Sequence, residues 1–322
     1  MPELPEVEVV RAGLAPAVTG ATVTRVHVLD VRSLRRHDGP SEDFVDLMTG
    51  AVLAEPQRRG KFLWVPLTSS DEQGLPARAL VTHLGMSGQL LLRSPDAERS
   101  RLTRIVLEVE HPVHGGLRVD FVDQRIFGSM AVDRLVAPAD VLTSADAPTD
   151  TDAVADAPMH THTDAAAERI PSQVAHIARD PLDPLFNDRE FLRKLAAKNT
   201  TIKRALLDQT LVSGIGNIYA DESLWAARVH YDQPTHSLAR PRAVLLLAEI
   251  RAVLARALAE GGTSFDAQYV NVNGASGYFA HSLNAYGQAG RPCPRCGRPI
   301  VRKTFMNRGS HFCAYCQRVR RG

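Results

Sequence analysis

The sequence predicts an α+β protein with an antiparallel β domain first, a helical domain second and a small cysteine module at the end. Three observations predict it. A single amphipathic helix is followed by a series of short alternating strands, helical periodicity takes over after Asp188, and all four cysteines fall in two Cys-x-x-Cys pairs near the C-terminus.

Residues Pro5 to Val18 carry Val, Leu and Ala at near-helical spacing and close at Gly20, which marks the first helix. The run Thr22 to Val31 alternates β-branched and polar residues as a half-buried strand does. Similar strands are expected at Lys61–Leu67, Ala79–Leu84, Gln89–Arg93, Arg104–Glu110 and Leu117–Val122, punctuated by Gly, Pro and Ser. Such a series after one helix indicates an antiparallel sandwich or barrel. Residues 137–178 are rich in Ala, Asp, Thr, Pro and His without sustained periodicity and read as an acidic flexible linker or insertion. The pair His160 and His162 within it is read as polar tract, since no thiolate lies nearby. Helices are expected at Phe191–Ala197, Thr201–Leu207, Tyr219–Ala227 and Pro241–Glu260, the last ended by Gly261-Gly262. A Gly- and Asn-rich loop then leads into the cysteines. These transitions divide the chain into 1–136, 137–178, 179–285 and 286–322.

The chain has 322 residues, of which 44% are hydrophobic and 23% charged. It is long enough for two or three modules with cores of their own. No apolar run is long enough to span a bilayer, and the start Met-Pro-Glu-Leu-Pro-Glu has neither the basic nor the apolar part of a signal peptide, so a cytoplasmic protein is expected. The net charge of +2 hides polarisation. No Lys or Arg lies between Arg134 and Arg169, whereas nine (Arg291, Arg295, Arg298, Arg302, Lys303, Arg308, Arg318, Arg320 and Arg321) and no acid lie from Arg291 onward. A polyanionic partner and a solubilising tail both fit that charge.

Cys293-Pro-Arg-Cys296 and Cys313-Ala-Tyr-Cys316 are separated by sixteen residues. Two residues between thiolates let each pair hold one ion from a tight turn, and two pairs complete a tetrahedral site with no open position, so one structural Zn2+ is expected. Between the pairs, apolar-alternating arms around Asn307-Arg-Gly309 read as a β-hairpin, with Arg308 at its tip or simply solvated. At the other end, removal of Met1 would leave Pro2 as a secondary amine. An α-amino group titrates near ~8 against roughly 10.4 for lysine, so far more of it is nucleophilic at neutral pH. The iminium such an amine forms with a sugar carbon cannot lose its charge at nitrogen. Glu3 stands beside it as an acid. Both residues also suit the first turn of a helix, and physics alone favours that plainer reading.

The opening Met1-Pro-Glu-Leu-Pro-Glu-Val-Glu8 resembles that of the bacterial formamidopyrimidine-DNA glycosylases. The resemblance continues through Arg59-Gly-Lys61, His83-Leu-Gly-Met-Ser-Gly88, Asp123-Gln-Arg-Ile-Phe-Gly128, Gly214-Ile-Gly-Asn-Ile-Tyr-Ala220, Asn284-Ala-Tyr-Gly-Gln288 and the cysteine hairpin. It covers all but the acidic stretch, in the family's order. It implies an N-terminal β-sandwich with a capping helix, a helix–two-turns–helix domain and a C-terminal zinc β-hairpin. The implied activity is that of a bifunctional glycosylase and abasic-site lyase excising oxidised purines from damaged double-stranded DNA, acting as a monomer. The implied roles are Pro2 as nucleophile at C1′, Glu3 as adjacent acid, Lys61 as acid in β-elimination, and Arg308 as the hairpin arginine clamping phosphates and assisting the last elimination. Asn217, Lys203 and His83 are implied to meet DNA, while Met86, Arg125 and Phe127 would fill the gap left by an everted base. The loop Asn271 to Tyr278 resembles the segment that folds over the flipped base.

There are departures. Arg101-Leu-Thr103 stands where many relatives have a DNA-contacting histidine, and Asn199 where a relative has lysine. The sister endonuclease VIII-like enzymes, directed at oxidised pyrimidines, usually open Pro-Glu-Gly-Pro-Glu, so Leu4 favours the purine branch. A silent DNA-binding zinc protein would not need Pro2, Glu3 and Lys61 together.

Overall fold

The computed structural model describes residues 2–68, 75–138, 168–263, 272 and 279–320. The His160 and His162 pair, most of the acidic stretch and, apart from Val272, the loop Asn271 to Tyr278 lie outside the described residues.

Helix α1 (Leu4–Val18) buries Val7, Val10, Leu14 and Val18 at three- and four-residue spacing, one stripe facing the β domain. Leu4, one turn earlier, is buried in the core of the helical domain instead. The first helix therefore straddles both lobes, which fixes where the N-terminus lies.

The ten strands are β1 (Thr22–Val28), β2 (Val52–Leu53), β3 (Gln57–Arg59), β4 (Phe62–Thr68), β5 (Arg78–His83), β6 (Gly88–Arg93), β7 (Thr103–His111), β8 (Gly115–Asp123), β9 (Ser129–Val136) and β10 (Ile170–Pro171). They form one continuous ladder in the order β10-β9-β5-β4-β2-β1-β7-β8-β6, antiparallel throughout, with β3 paired to β4. Leu63, Val65, Leu80 and Met130 from one half share a core with Val23, Ile105, Leu107 and Phe121 from the other, so the ladder closes on itself as a sandwich. Helix α2 (Ser41–Met48) adds Phe44 and Met48 to that core.

The linker expected over 137–178 ends earlier than its composition suggests. From Glu168 the chain is packed: β10 pairs with β9, and Ile170, Val174 and Ile177 cover Phe62, Trp64 and Val81 on the outer face of β4 and β5. Strand β4 is buried on both faces, so it needs this cover.

The helical domain contains α3 (Asp188–Ala197), α4 (Ile202–Leu207), α5 (Asn217–Ala226) and α6 (Arg240–Ala259). Asn187 caps α3 by accepting from the Glu190 N–H at 2.9 Å. Turns over 208–216 join α4 to α5. Helix α5 is buried over eight consecutive residues, Ile218 to Trp225. The C-terminal hairpin pairs β11 (Val301–Phe305) with β12 (Arg308–Phe312), and Phe305 faces Arg308 across a two-residue turn of Met306 and Asn307. Arg308 thus begins the return strand, one step past the tip.

Candidate active site

Pro2 and Glu3 lie where the two lobes meet, at the N-terminal end of α5. The Leu4 N–H donates to the Gly214 carbonyl at 2.9 Å. Glu3 is buried, and its carboxylate accepts from the backbone N–H groups of Gly216 (2.6 Å), Ile218 (2.9 Å) and Tyr219 (3.3 Å). A β-domain acid therefore caps a helix of the other domain, where unsatisfied N–H groups favour negative charge. The glycines permit the approach: a Cβ on Gly216 would lie 2.3 Å from the Glu3 carboxyl carbon, and one on Gly214 would lie 2.7 Å from the Leu4 side chain.

Burial raises the Glu3 carboxyl above its ordinary range, against the opposing pull of the Lys61 charge and the α5 N–H groups. Lys61 follows β3 in a tight turn and donates from Nζ to the Ile215 carbonyl at 2.9 Å. Burial lowers its ammonium, with Glu3 and Glu6 opposing and Arg308 reinforcing the shift. Glu3, Glu6, Lys61 and Arg308 thus share one electrostatic field. Two ionisable groups of opposite type are both moved toward neutrality, the arrangement proton transfer needs.

A supporting set was not visible in the sequence. Glu6 accepts from the Glu3 N–H (2.8 Å), the Tyr219 hydroxyl (2.6 Å), and the Thr263 N–H (2.7 Å) and hydroxyl (2.8 Å). Burial and the neighbouring Glu6 hold the Tyr219 phenol well above its usual range, so it remains a donor. Asp221 and Glu222 of α5 are buried as well. Glu222 accepts from the N–H groups of Asn284, Ala285 and Tyr286, tying the approach to the zinc module onto α5. Only the tertiary placement of these N–H groups makes such acids buriable.

Met86, Arg125 and Phe127 are all exposed, on the β5–β6 and β8–β9 turns. Apolar side chains of that size would otherwise be assigned to the core. Asp123 joins the two turns by accepting from the Ser87 hydroxyl (2.5 Å) and the N–H groups of Arg125 (3.1 Å) and Gly128 (2.6 Å). Arg35 reaches across from a 3-10 turn to the carbonyls of Ile126 (3.1 Å), Phe127 and Gly128 (2.6 Å). The two exposed hydrophobes therefore stand on a rigid base. His83 lies beside them with Nδ1 accepting from the Gly85 N–H at 3.1 Å. Burial and the charges of Arg36, Lys61 and Arg35 push it down to about 4, so it offers a neutral ring at physiological pH.

The hairpin reaches the same region. Asn217, first residue of α5, donates to the Gly309 carbonyl at 3.1 Å, and Arg308 beside it is exposed. Lys203, expected at DNA, is instead fully buried. Its ammonium faces Asp221 (2.6 Å) and the Ser310 hydroxyl (3.0 Å), and Asp221 also accepts from the His311 N–H at 2.8 Å. An ammonium sealed this way pins hairpin to helix and presents nothing to a phosphate. Arg58 and Arg59 are likewise committed: Arg58 to Glu8 and Asp180, Arg59 to Glu168.

The four cysteine sulfurs lie within 4.8 Å of one another, with Cys296 and Cys313 3.5 Å apart. A tetrahedral zinc with bonds of about 2.3 Å sets sulfurs roughly 3.8 Å apart, so the donors fit one zinc ion with no free position. The knuckle at Cys293 closes through the Gly297 N–H onto the Cys293 carbonyl at 2.9 Å.

A buried acid beside a half-buried lysine at a lobe junction, two exposed hydrophobes on a braced ledge and a zinc hairpin bearing arginine define an enzyme that works on a strand held between two domains. Family profiles agree along the chain: the formamidopyrimidine-DNA glycosylase N-terminal domain matches residues 1–130, its H2TH domain residues 177–268, and the zinc finger found in FPG and IleRS residues 290–319. A formamidopyrimidine-DNA glycosylase of Leifsonia xyli is 62% identical over 99% of this chain and its own full length. One from Kineococcus radiotolerans is 50% identical over all of this chain and 99% of its own. Among solved structures, a mutant of Lactococcus lactis FPG bound to Fapy-dG DNA superposes with a TM-score of 0.76 at 28% identity, covering 98% of this chain and 99% of that one. The L. lactis enzyme with abasic-site DNA gives 0.75 over the same shares. The chain belongs to the formamidopyrimidine-DNA glycosylase family.

Proposed function

We propose that this chain excises oxidised purines, 8-oxoguanine and formamidopyrimidines, from duplex DNA and then nicks the strand, with its own N-terminal proline as nucleophile. The carrying observation is the convergence of Pro2, buried Glu3 and half-buried Lys61 on the N-terminus of α5.

Chemistry at C1′ needs access that a stacked pair denies, so the damaged nucleotide is everted at a cost of a few kcal/mol. Met86 and Phe127 take up the lost stacking, and Arg125 bonds the orphaned partner base. With Met1 removed, the Pro2 nitrogen attacks C1′ as the bond to the base breaks. Glu3 supplies a proton to the opening sugar oxygen. The resulting iminium draws electrons from C2′ as a proton leaves there, and the 3′ phosphate departs. Lys61 serves as acid in that step. Arg308 and Asn217 hold the phosphates, and Arg308 assists loss of the 5′ phosphate before water frees Pro2. The zinc shapes the hairpin and takes no part in the chemistry.

Borohydride reduction during turnover on an 8-oxoguanine duplex should yield a covalent adduct whose attached peptide begins at Pro2. Equal trapping by Pro2→Gly, or an active form retaining Met1, would refute the nucleophile. An oxidised-pyrimidine duplex belongs in the same assay, since a complex of the L. lactis enzyme with such DNA has been solved. Preferred cleavage of it would move the substrate to the sister class.

A further inference from the structure

A second basic surface lies away from the catalytic cleft. A cavity of about 560 Å³ at the base of the zinc module is lined by Arg228, Arg242, Tyr315, Arg318, Val319 and Arg320, together with the zinc ligand Cys316. No acid lines it, and among the described residues none of the four arginines forms an ion pair.

Two elements fix its position. Helix α5 begins against the Glu3 carboxylate and ends at Ala226, near Arg228, so its ten residues place the cavity roughly 15 Å from the active site along the helix axis. The hairpin likewise runs from Arg308 in the cleft back to Cys313 and Cys316. Strand and helix each present one end to the cleft and the other to this cavity.

The structural duties of these arginines are limited. Arg242 donates to the carbonyls of Ala227 (3.1 Å) and Arg228 (2.8 Å), closing the C-terminal end of α5. Arg320 is held through its backbone, whose N–H donates to Gln233 at 2.7 Å and whose carbonyl accepts from the Gln233 amide at 2.8 Å. Among the described residues its guanidinium has no partner, and Arg318 has only the Tyr315 ring, 5.0 Å away. Burial and the nearby Arg320 and Arg228 lower the Arg242 guanidinium. Four guanidiniums around one open cavity make it a favourable place for an anion.

We infer that this cavity is a second DNA-binding site, which grips the phosphodiester backbone of a DNA segment other than the one in the cleft. Phosphate matches the planar guanidinium fork, and a protein working on DNA meets that polyanion at high local concentration. Contact through phosphates alone carries no sequence preference. Holding two segments lets the enzyme pass from one to the other without full release.

The test fills the cleft first. Enzyme trapped covalently on an unlabelled lesion duplex is isolated, and binding of a labelled, lesion-free short duplex is followed by anisotropy. Trapping reports on the proposed catalysis by itself. Were no adduct to form, sedimentation with excess short duplex would give the same stoichiometry, two duplexes per chain. The adduct is expected to bind the labelled duplex with a dissociation constant of about 1–100 μM. The Arg318→Gln/Arg320→Gln protein is expected to bind it at least tenfold more weakly, with a salt slope shallower by about 0.9 for each phosphate no longer neutralised. Arg318→Lys/Arg320→Lys, which keeps both charges, should bind more tightly than the glutamine substitutions. Zinc content and thermal midpoint verify that the glutamine protein is folded. An adduct that binds no second duplex, or a glutamine pair that binds as the parent does, overturns the inference. So does occupancy by inorganic phosphate or a nucleoside triphosphate without any binding of duplex, which would make the cavity a site for small anions.

Discussion

The Glu3 carboxylate accepts the Gly216 N–H at 2.6 Å across 213 positions of sequence, so the N-terminus of the β domain is fastened to the first turn of a helix in the other domain. Substrate must then approach a site whose acid already completes a helix cap. Glu3→Gln replaces one acceptor oxygen with an NH2 group directed at backbone donors. Excision is expected to fall by about 10²–10⁴, the usual worth of a general acid. Stability should fall as well, by about 1–3 kcal/mol, because buried N–H groups lose their partner. Single-turnover excision and chemical denaturation separate the two losses. A variant that remains fully stable would show that the cap contributes nothing to the fold.

Lys61 is expected to set the alkaline limb of strand nicking. Its buried ammonium titrates below the ordinary lysine range, so the acid form is depleted at a lower pH than for an exposed lysine. Nicking of a preformed abasic duplex should therefore decline on that limb before an exposed lysine would deprotonate. Lys61→Arg, which keeps its proton, should move the limb upward even if the maximum rate falls about a hundredfold. A limb that stays in place assigns the titration elsewhere.

What the sequence makes legible follows from how local each signal is. The four cysteines declare themselves because chelation fixes their spacing, and α1 and the long strands do so because one face of each is buried. Helix α2 is obscure because it fully buries only Phe44 and Met48. Strand β10 is two residues long and makes sense only against the apolar outer face of β4. Lys203 is implied by resemblance to meet DNA, and nothing local in the sequence reveals that Asp221 will neutralise it. Glu6, Asp221 and Glu222 are hidden for the same reason. Met86 and Phe127 err the other way, since ordinary apolar residues are rarely placed on a braced turn in water.

Phe127 offers a clean separation of stability from function. It is half exposed, and the turn that carries it is held by Asp123 and Arg35 through backbone atoms. Phe127→Ala should cost less than about 0.5 kcal/mol of stability, as surface substitutions do. Lesion-duplex affinity should drop by roughly tenfold or more, because the ring's stacking is worth about 1–3 kcal/mol per base. Arg35→Ala should weaken lesion binding without touching the ring, by loosening the turn beneath it. Unchanged affinity in both proteins would remove the wedge from the mechanism.

His83 predicts a pH dependence of folding. Its ordinary value is 6.5, and in the folded protein burial and the nearby Arg36, Lys61 and Arg35 push it down to about 4. Between these values the unfolded chain binds a proton that the folded one refuses, so stability rises with pH across that window and is lost as pH falls through it. From pH 7 to pH 5 the group should remove about 2 kcal/mol, an order-of-magnitude figure from the linkage relation. Other groups titrate over the same range, so the informative quantity is a difference. His83→Gln keeps an acceptor for the Gly85 N–H but takes up no proton. Denaturant midpoints at the two pH values should diverge for the parent and converge for the variant. Equal slopes would mean that the imidazole protonates in place, with Arg36 and Lys61 too well screened to prevent it.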